Sequence, residues 1–291
     1  MKRTNGEKAY AVFNYIILTL IALVTVYPFW DVIRVSFSTT AEANSMVFRL
    51  FPSEIALDGY QKVLSNTNIW IGYKNTIFRV LIGTSLNMLL MIFTAYPLSK
   101  RYLPFRNGFT LFIVFTMFFS GGLIPGYLNV RSLGLDNTFG ALIFPTAINT
   151  FSMIILRNFF MGLPEELEES AYIDGASTLR ILFSIILPLS LPILMTVGLW
   201  SVVEHWNAWF DCIIYIREPS AYVLQAVLRK IVIDATPQFN NMQDSADTLS
   251  NVNSEVIKAA TIIVSSIPIM LVYPFVQKHF VKGVMVGSLK G

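Results

Sequence analysis

Between Lys8 and Asp31 the chain carries no charged residue. A run this long and this apolar reads as a helix that crosses a bilayer, which takes about 20 residues. It is too long for a signal-peptide core, so it is expected to stay as an anchor. Five more apolar runs follow, and spans are expected near residues 14–35, 76–98, 108–124, 139–160, 185–203 and 259–276. The runs are continuous rather than alternating, which argues for helices and against barrel strands. Composition agrees: 54% of residues are hydrophobic and 13% charged, against about 25% charged in soluble domains. The expected fold is an all-α membrane protein with six transmembrane helices.

Lysine and arginine placement orients such a chain, because short cytoplasmic loops carry the excess of positive charge. One parity groups Lys2, Arg3 and Lys8 with Lys100, Arg101, Arg106, Arg157, Arg180, Lys278, Lys282 and Lys290. The short loop 125–138 on the other side holds only Arg131. Both termini are therefore expected in the cytoplasm, with residues 1–13 before the membrane-spanning region 14–277 and a tail at 278–291. The long outer loop falls at 204–256. Arg79 lies inside the expected span 76–98, near its outer end, and is expected to snorkel to the interface. Prolines at 28, 97, 145, 188, 192, 268 and 274 are expected to bend the spans.

Several functions are excluded by what is missing. A net charge of +3 without a basic, aromatic-interleaved stripe gives no support for nucleic-acid binding. One cysteine, Cys212, and two distant histidines, His205 and His279, offer neither a disulfide nor a metal-binding or catalytic cluster. The Gly-x-x-x-x-Gly-Lys-Ser/Thr phosphate loop is absent, so the chain has no ATP site of its own. No chain of acidic and basic residues runs through the spans, which weighs against a proton-driven secondary transporter.

One stretch between spans is both charged and helical, residues 164–192. Five carboxylates (Glu165, Glu166, Glu168, Glu169, Asp174) lead it, a composition that favours a helix start. Ala171 and Gly175 are four apart and are expected to form a smooth stripe open to another protein. Asp174-Gly175 is also a helix-end signal. The phrase Glu169-Ser170-Ala171-x-x-Asp174-Gly175-Ala176, followed by Leu187-Pro188, resembles the EAA loop of ATP-binding-cassette (ABC) importer permeases. The departure from the usual Glu-Ala-Ala is Ser170, a small residue for a small one.

Three further phrases are similar to maltose-type sugar permeases. Phe118-Phe119-Ser120-Gly121-Gly122-Leu123-Ile124-Pro125 resembles the branch associated with complex oligosaccharides, with a break at the glycine pair. Glu204-His205-Trp206-Asn207-Ala208-Trp209-Phe210 resembles that family's Trp-Asn stretch, although rings alone also suit an interfacial belt. The ending Gly287-Ser288-Leu289-Lys290-Gly291 resembles the Gly-x-x-Lys-Gly tail that lies between the ATPase subunits. A polar loop at 235–253, with Asn240 to Asp244 at its tip, sits where the family's loop enters the binding protein.

The resemblance implies a type I ABC importer permease fold and a permease subunit of an ATP-driven oligosaccharide importer. The coupling loop is then 161–187, with Glu169, Ala171, Asp174, Gly175 and Ala176 meeting the ATPase. Ser288, Leu289, Lys290 and Gly291 form an ATPase-contacting tail after Lys282, expected to be extended. Asn87, Asn149, Trp200, Glu204, Trp206 and Asn207 are candidates for the sugar path, and the two asparagines fit helix–helix hydrogen bonding equally well. The implied partners are a second homologous permease, an ATPase dimer that holds ATP and Mg, an extracytoplasmic sugar-binding protein and the bilayer. The alternative within the same class is an importer of a solute other than sugar.

Overall fold

The structure is a computed structural model that describes residues 5–43, 45, 47, 49–234 and 254–288. It is helical throughout, with no strand among the described residues. In chain order come α1 (Asn5–Ser36), α2 (Thr40–Ala43), α3 (Asp58–Leu64), α4 (Thr67–Ser99), α5 (Arg106–Phe118) and α6 (Leu123–Ser132). Two 3-10 turns, Phe139–Leu142 and Phe144–Thr146, lead into α7 (Thr150–Met161). The rest comprises α8 (Glu166–Ile173), α9 (Thr178–Ile181), a π-turn at Leu182–Ile186, α10 (Leu187–Leu189), α11 (Leu191–Asn207), α12 (Phe210–Tyr215), α13 (Leu224–Asp234) and α14 (Ser254–Ser288).

Three of these helices are long and apolar enough to cross a membrane unaided, at Gly6–Ser36, Thr67–Ser99 and Ser254–Leu271. Three more spans are available if each of three bent helix pairs counts as one. The bends have local causes. Gly122, at φ +86°, takes a conformation closed to most L residues. It ends the break between α5 and α6, whose axes turn by 116°. The expected span at 108–124 is thus a 13-residue helix followed by a second one at a steep angle. Between the Phe139–Thr146 and Thr150–Met161 segments the turn is 47°. At Ser190 it is 84°, where Pro188 and Pro192 each remove a backbone donor and the π-turn just upstream has already shifted the register.

The described chain divides into two compact units. One takes residues 1–69 and 228–267. In it the C-terminal end of α1 is fastened to the following segment: Ser36 Oγ and Tyr60 Oη share a hydrogen bond of 2.8 Å, and Trp30 Nε1 donates to the Leu50 carbonyl at 2.7 Å. The Glu42 carboxylate accepts from the Ser53 backbone N–H at 3.1 Å. Gly59 lies against α14, where a Cβ would come within 2.8 Å of Val256 Cγ1.

The other unit takes residues 70–227 and 268–291 and holds the main core. Met91, Ala95, Leu98, Leu156, Phe160, Ile181, Leu182, Ile186 and Val197 are all buried there, so α4, α7, the 178–189 segment and α11 share one packed interior. A second cluster joins Leu142, Cys212, Ile216, Val223 and Ala226. The start of α4 is stitched to the segment before α13 by Asn75 Nδ2, which donates to the Ser220 and Tyr222 carbonyls at 3.0 and 2.9 Å. Inside a membrane such packing and polar contacts, rather than exclusion from water, hold helices together.

Two expectations about the end of the chain meet the structure differently. The segment after Lys282 is helical through Ser288, not extended. Gly283 and Gly287 each cost about 1 kcal/mol in a helix interior, and the helix nevertheless runs through both. Leu289, Lys290 and Gly291 lie outside the described residues, and so does the loop 235–253 with Asn240 to Asp244.

Candidate functional site

The coupling stretch is built as a short helix with a defined stop. After Ile173 the chain closes in a Schellman arrangement: Ala176 N donates to the Ala171 carbonyl at 2.9 Å and Gly175 N to the Tyr172 carbonyl at 3.0 Å. Gly175 makes this possible at φ +77°, the left-handed conformation that favours glycine at this position. The helix-end reading of Asp174-Gly175 holds, with Asp174 as C-cap.

The smooth stripe faces the other way from expectation. Ala171 is 8% exposed and belongs to the chain's own core with Leu156, Phe160 and Leu182. Ala176 packs against the same core, and Gly175 lies beyond the helix rather than on its face. A small residue at 171 therefore lets α8 sit close on its own chain. What α8 presents outward is Glu169, Ser170, Tyr172 and Ile173, the last of these 86% exposed.

Consecutive glutamates split accordingly. Residues 168 and 169 differ by about 100° around a helix, so one faces in and the other out. Glu168 is buried and forms an ion pair with Lys100, just past the end of α4. Tyr96 Oη donates to its other oxygen at 3.2 Å, and the Lys100 ammonium lies 4.5 Å from the Tyr96 ring centre. A charge-assisted pair with a cation–π contact in a largely dry place fixes geometry strongly. Beside it is a cleft of about 290 Å³ lined by Lys100, Tyr102, Leu163, Glu165, Glu169 and Tyr172. Arg157 Nε donates to the Leu98 carbonyl at 3.0 Å, which ties α7 to the same end of α4.

In the N-terminal half of α4 stands a second pair, around a buried arginine, that the sequence reading missed. Arg79 does not snorkel: it is 1% exposed and ion-paired to Asp211. Its Nη1 donates to Asp211 Oδ1 at 3.1 Å and its Nε to His205 Nδ1 at 3.5 Å. An arginine inside a span costs about 2.5–3.5 kcal/mol unless paired, and Asp211 supplies the partner that no residue within the span offers. Gly83 permits the approach, since a Cβ there would fall 2.5 Å from His205 Nε2. Cys212, next to Asp211, is fully buried, and burial pushes its thiol up to about 11.

The path candidates separate by helix face. Asn87 is buried; turned to satisfy its neighbours, its amide donates to the Gly83 carbonyl at 2.8 Å and accepts from Ser201 Oγ at 3.2 Å. It is a helix–helix residue. Trp206 is 6% exposed and packs on Tyr73 with ring centres 6.3 Å apart, so it faces the interior with His205. Trp200, Glu204 and Asn207, spaced four and then three apart, share the open face of α11 and are exposed. Asn149 caps α7 by accepting from Ser152 N at 3.0 Å, and its Nδ2 donates to Glu204 Oε2 at 3.4 Å. Trp200 stacks with Phe151 at 6.3 Å and 27°. The structure thus gathers Asn149, Phe151, Trp200 and Glu204 in one place, and Phe151 is the member that sequence reasoning did not single out. No group of metal-ligating residues occurs among the described residues.

Long apolar helices, helix pairs broken at glycine and proline, and a charged helix anchored between them define a multi-pass, all-helical membrane protein. The model of the family described as binding-protein-dependent transport system inner membrane component matches residues 68–286, and the chain belongs to that family. It carries the type I ABC permease fold and is a permease component, not an enzyme. It is 44% identical over 277 residues to the polygalacturonan/rhamnogalacturonan transport system permease protein YtcP of Bacillus subtilis (strain 168), covering 95% of this chain and 96% of that one. It is 41% identical to LplC of the same organism over 293 residues, covering 100% of this chain and 98% of that protein. Among solved structures, a chain of a bacterial ABC transporter involved in the import of the acidic polysaccharide alginate matches with a TM-score of 0.89 and 32% identity, covering 96% of this chain and 99% of that one.

Proposed function

We propose that this chain is the permease subunit of an ATP-driven oligosaccharide importer, with six spans, both termini in the cytoplasm and half of the translocation path. The observation that carries the coupling part is the division of labour on α8: Glu168 and Ala171 are locked into the core while Glu169 and Ile173 stand exposed. Such a helix can transmit a push, because its own seating does not yield. Names of relatives support the sugar part: besides YtcP, an arabinooligosaccharide permease AraQ and a galactooligosaccharide permease GanQ align over most of the chain.

In this reading Glu169 pairs with a basic residue of a separate ATPase dimer that binds ATP and Mg, Ile173 fills an apolar recess there, and Asp174, Gly175 and Ala176 set the angle of the helix. Closure of the ATPases moves α8, and the motion leaves it by two routes. One is through Glu168 and Lys100 into α4. The other is through the chain itself, via Ile181, Leu182 and Ile186, into α11. Arg79 and Asp211 then join the N-terminal half of α4 to the segment that follows α11, so the two helices rock together around a cavity shared with a second permease. Ser288, Leu289, Lys290 and Gly291 reach the ATPase pair, and an extracytoplasmic binding protein delivers the sugar at the outer loop 204–256. Asn149, Trp200, Glu204 and Asn207 line the path, while Asn87 and Trp206 support it from behind.

The experiment is reconstitution in proteoliposomes with the second permease, the ATPase and the binding protein. ATP-dependent uptake of a labelled oligosaccharide that requires all four components is the expected result. Uptake without the ATPase contradicts the coupling, and ATP-driven uptake of a non-sugar solute alone leaves the alternative cargo.

A further inference from the structure

Two arginines near the Lys100 end of α4 have no part in the ion pairs described above. Arg106 opens α5, and Arg157 stands about one turn before the end of α7. Thr116 Oγ1 of α5 and Thr150 Oγ1 of α7 lie 3.5 Å apart. Arg106 is ten residues back from that contact along α5 and Arg157 seven residues forward along α7, about 15 and 10 Å of helix. The antiparallel register therefore brings the two together, and the Arg106 charge is felt at Arg157. Neither joins an ion pair among the described residues. Arg157 uses Nε on the Leu98 carbonyl and Nη1 on Asn158 Oδ1 at 3.2 Å, and its Nη2 has no acceptor there. Arg106 Nη1 is shut off from solvent and has no hydrogen-bond partner. Neighbouring positive charges with unmet donors are costly until an anion joins them. Beyond Arg106 the chain holds no charged residue before Arg131, and Phe109, Phe112 and Phe115 are 50–70% exposed. A half-buried positive site thus opens onto a bare apolar helix face.

We propose that Arg106 and Arg157 hold the phosphate of an anionic phospholipid of the cytoplasmic leaflet, with its acyl chains along α5. This rests on the orientation proposed above, which puts this end of α4 at the cytoplasmic interface, where anionic lipids gather. A guanidinium's planar fork offers parallel donors to phosphate oxygens, and the phosphate supplies the acceptors that Arg106 Nη1 and Arg157 Nη2 lack. Net negative charge matters as well as phosphate, because a zwitterionic headgroup brings its own cation to a site that already holds two. A carboxylate from a protein partner would answer the charges but not the apolar face that starts beside them.

The test is native mass spectrometry of the full transporter, delipidated in detergent and given dioctanoyl-phosphatidylglycerol, dioctanoyl-phosphatidylcholine or inorganic phosphate at equal concentration. Phosphatidylglycerol adducts are expected to exceed phosphatidylcholine adducts about fivefold or more, with no inorganic phosphate retained. Arg106→Gln combined with Arg157→Gln should cut that preference about threefold or more. Arg101→Gln, at an exposed pair with Glu165, should leave it unchanged. Equal adducts of the two lipids overturn the proposal, as does a preference that the double variant keeps. Retention of inorganic phosphate without lipid overturns the lipid as its source. A double variant that falls apart while the unaltered transporter shows no lipid preference assigns the arginines to a partner's carboxylate, and overturns it too. If the double variant does not assemble but the preference is present, Arg106→Gln alone decides by the same ratio. Orientation is read separately, from Asn107→Cys in intact cells with a membrane-impermeant maleimide. Labelling there overturns the orientation and the leaflet named here, whereas a protected cysteine with no lipid preference overturns the site alone.

Discussion

Two ion pairs fasten α4, one at Arg79 in its N-terminal half and one at Lys100 just past its C-terminus, and the two are built differently. In the first Arg79 is 1% exposed and its Asp211 partner 22%; in the second Lys100 and Glu168 are 14% and 11% exposed. The 20 residues between the two cations span about 30 Å of helix, the thickness of a bilayer's hydrocarbon core. Arginine's planar fork uses two donors on a carboxylate and a third on His205, and it stays charged wherever it is placed. Lysine's single ammonium sits at the edge, shared between Glu168 and the ring of Tyr96, where its stem can still reach water. In the proposed coupling the arginine pair is the fixed joint and the lysine pair the joint at the moving end.

Breaking each joint separates these roles. Asp211→Ala leaves a guanidinium buried without its partner, which costs about 3–5 kcal/mol. Thermal unfolding in nanodiscs should show the largest loss here, and adding Arg79→Leu should recover more than half of it. Glu168→Ala costs less, on the order of 2 kcal/mol, because Lys100 can turn toward water. Its signature is functional: ATPase activity should persist while its dependence on sugar weakens. Gly175→Val forces a β-branched residue to φ +77° at a cost of about 1–2 kcal/mol, although nothing lies within 4 Å of its Cβ position. Gly175→Asn should keep most of the stability, which would show that the conformation rather than the space matters there.

How much of this could be read from residues alone follows from where the information is local. Hydrophobic runs and glycine or proline breaks act within a few residues, so the long helices and the break at Gly121-Gly122 were visible in the sequence. The helix stop at Asp174-Gly175 was equally plain. The stripe of Ala171 was visible too, but not its direction: a small residue suits close approach to a partner or to the chain's own core. Glu168 held the missing signal, since it lies three residues before Ala171 on the same face and the core would have to supply a cation for it. Arg79 was misread because its partner Asp211 lies 132 positions away, beyond any local pattern. Spacing alone would have separated Trp200, Glu204 and Asn207 from Trp206, but not shown which side was open.

The central claim is that α8 couples this permease to a separate ATPase through its exposed face while its buried face holds it still. Glu169 is exposed, so Glu169→Ala should change stability by no more than about 0.5 kcal/mol. The most direct measurement is sugar-stimulated ATP hydrolysis by the reconstituted four-component transporter carrying that substitution. The expected result is a loss of stimulation of about tenfold or more, with the permease still folded and inserted. Unchanged stimulation, with uptake intact, would contradict the coupling role of this helix.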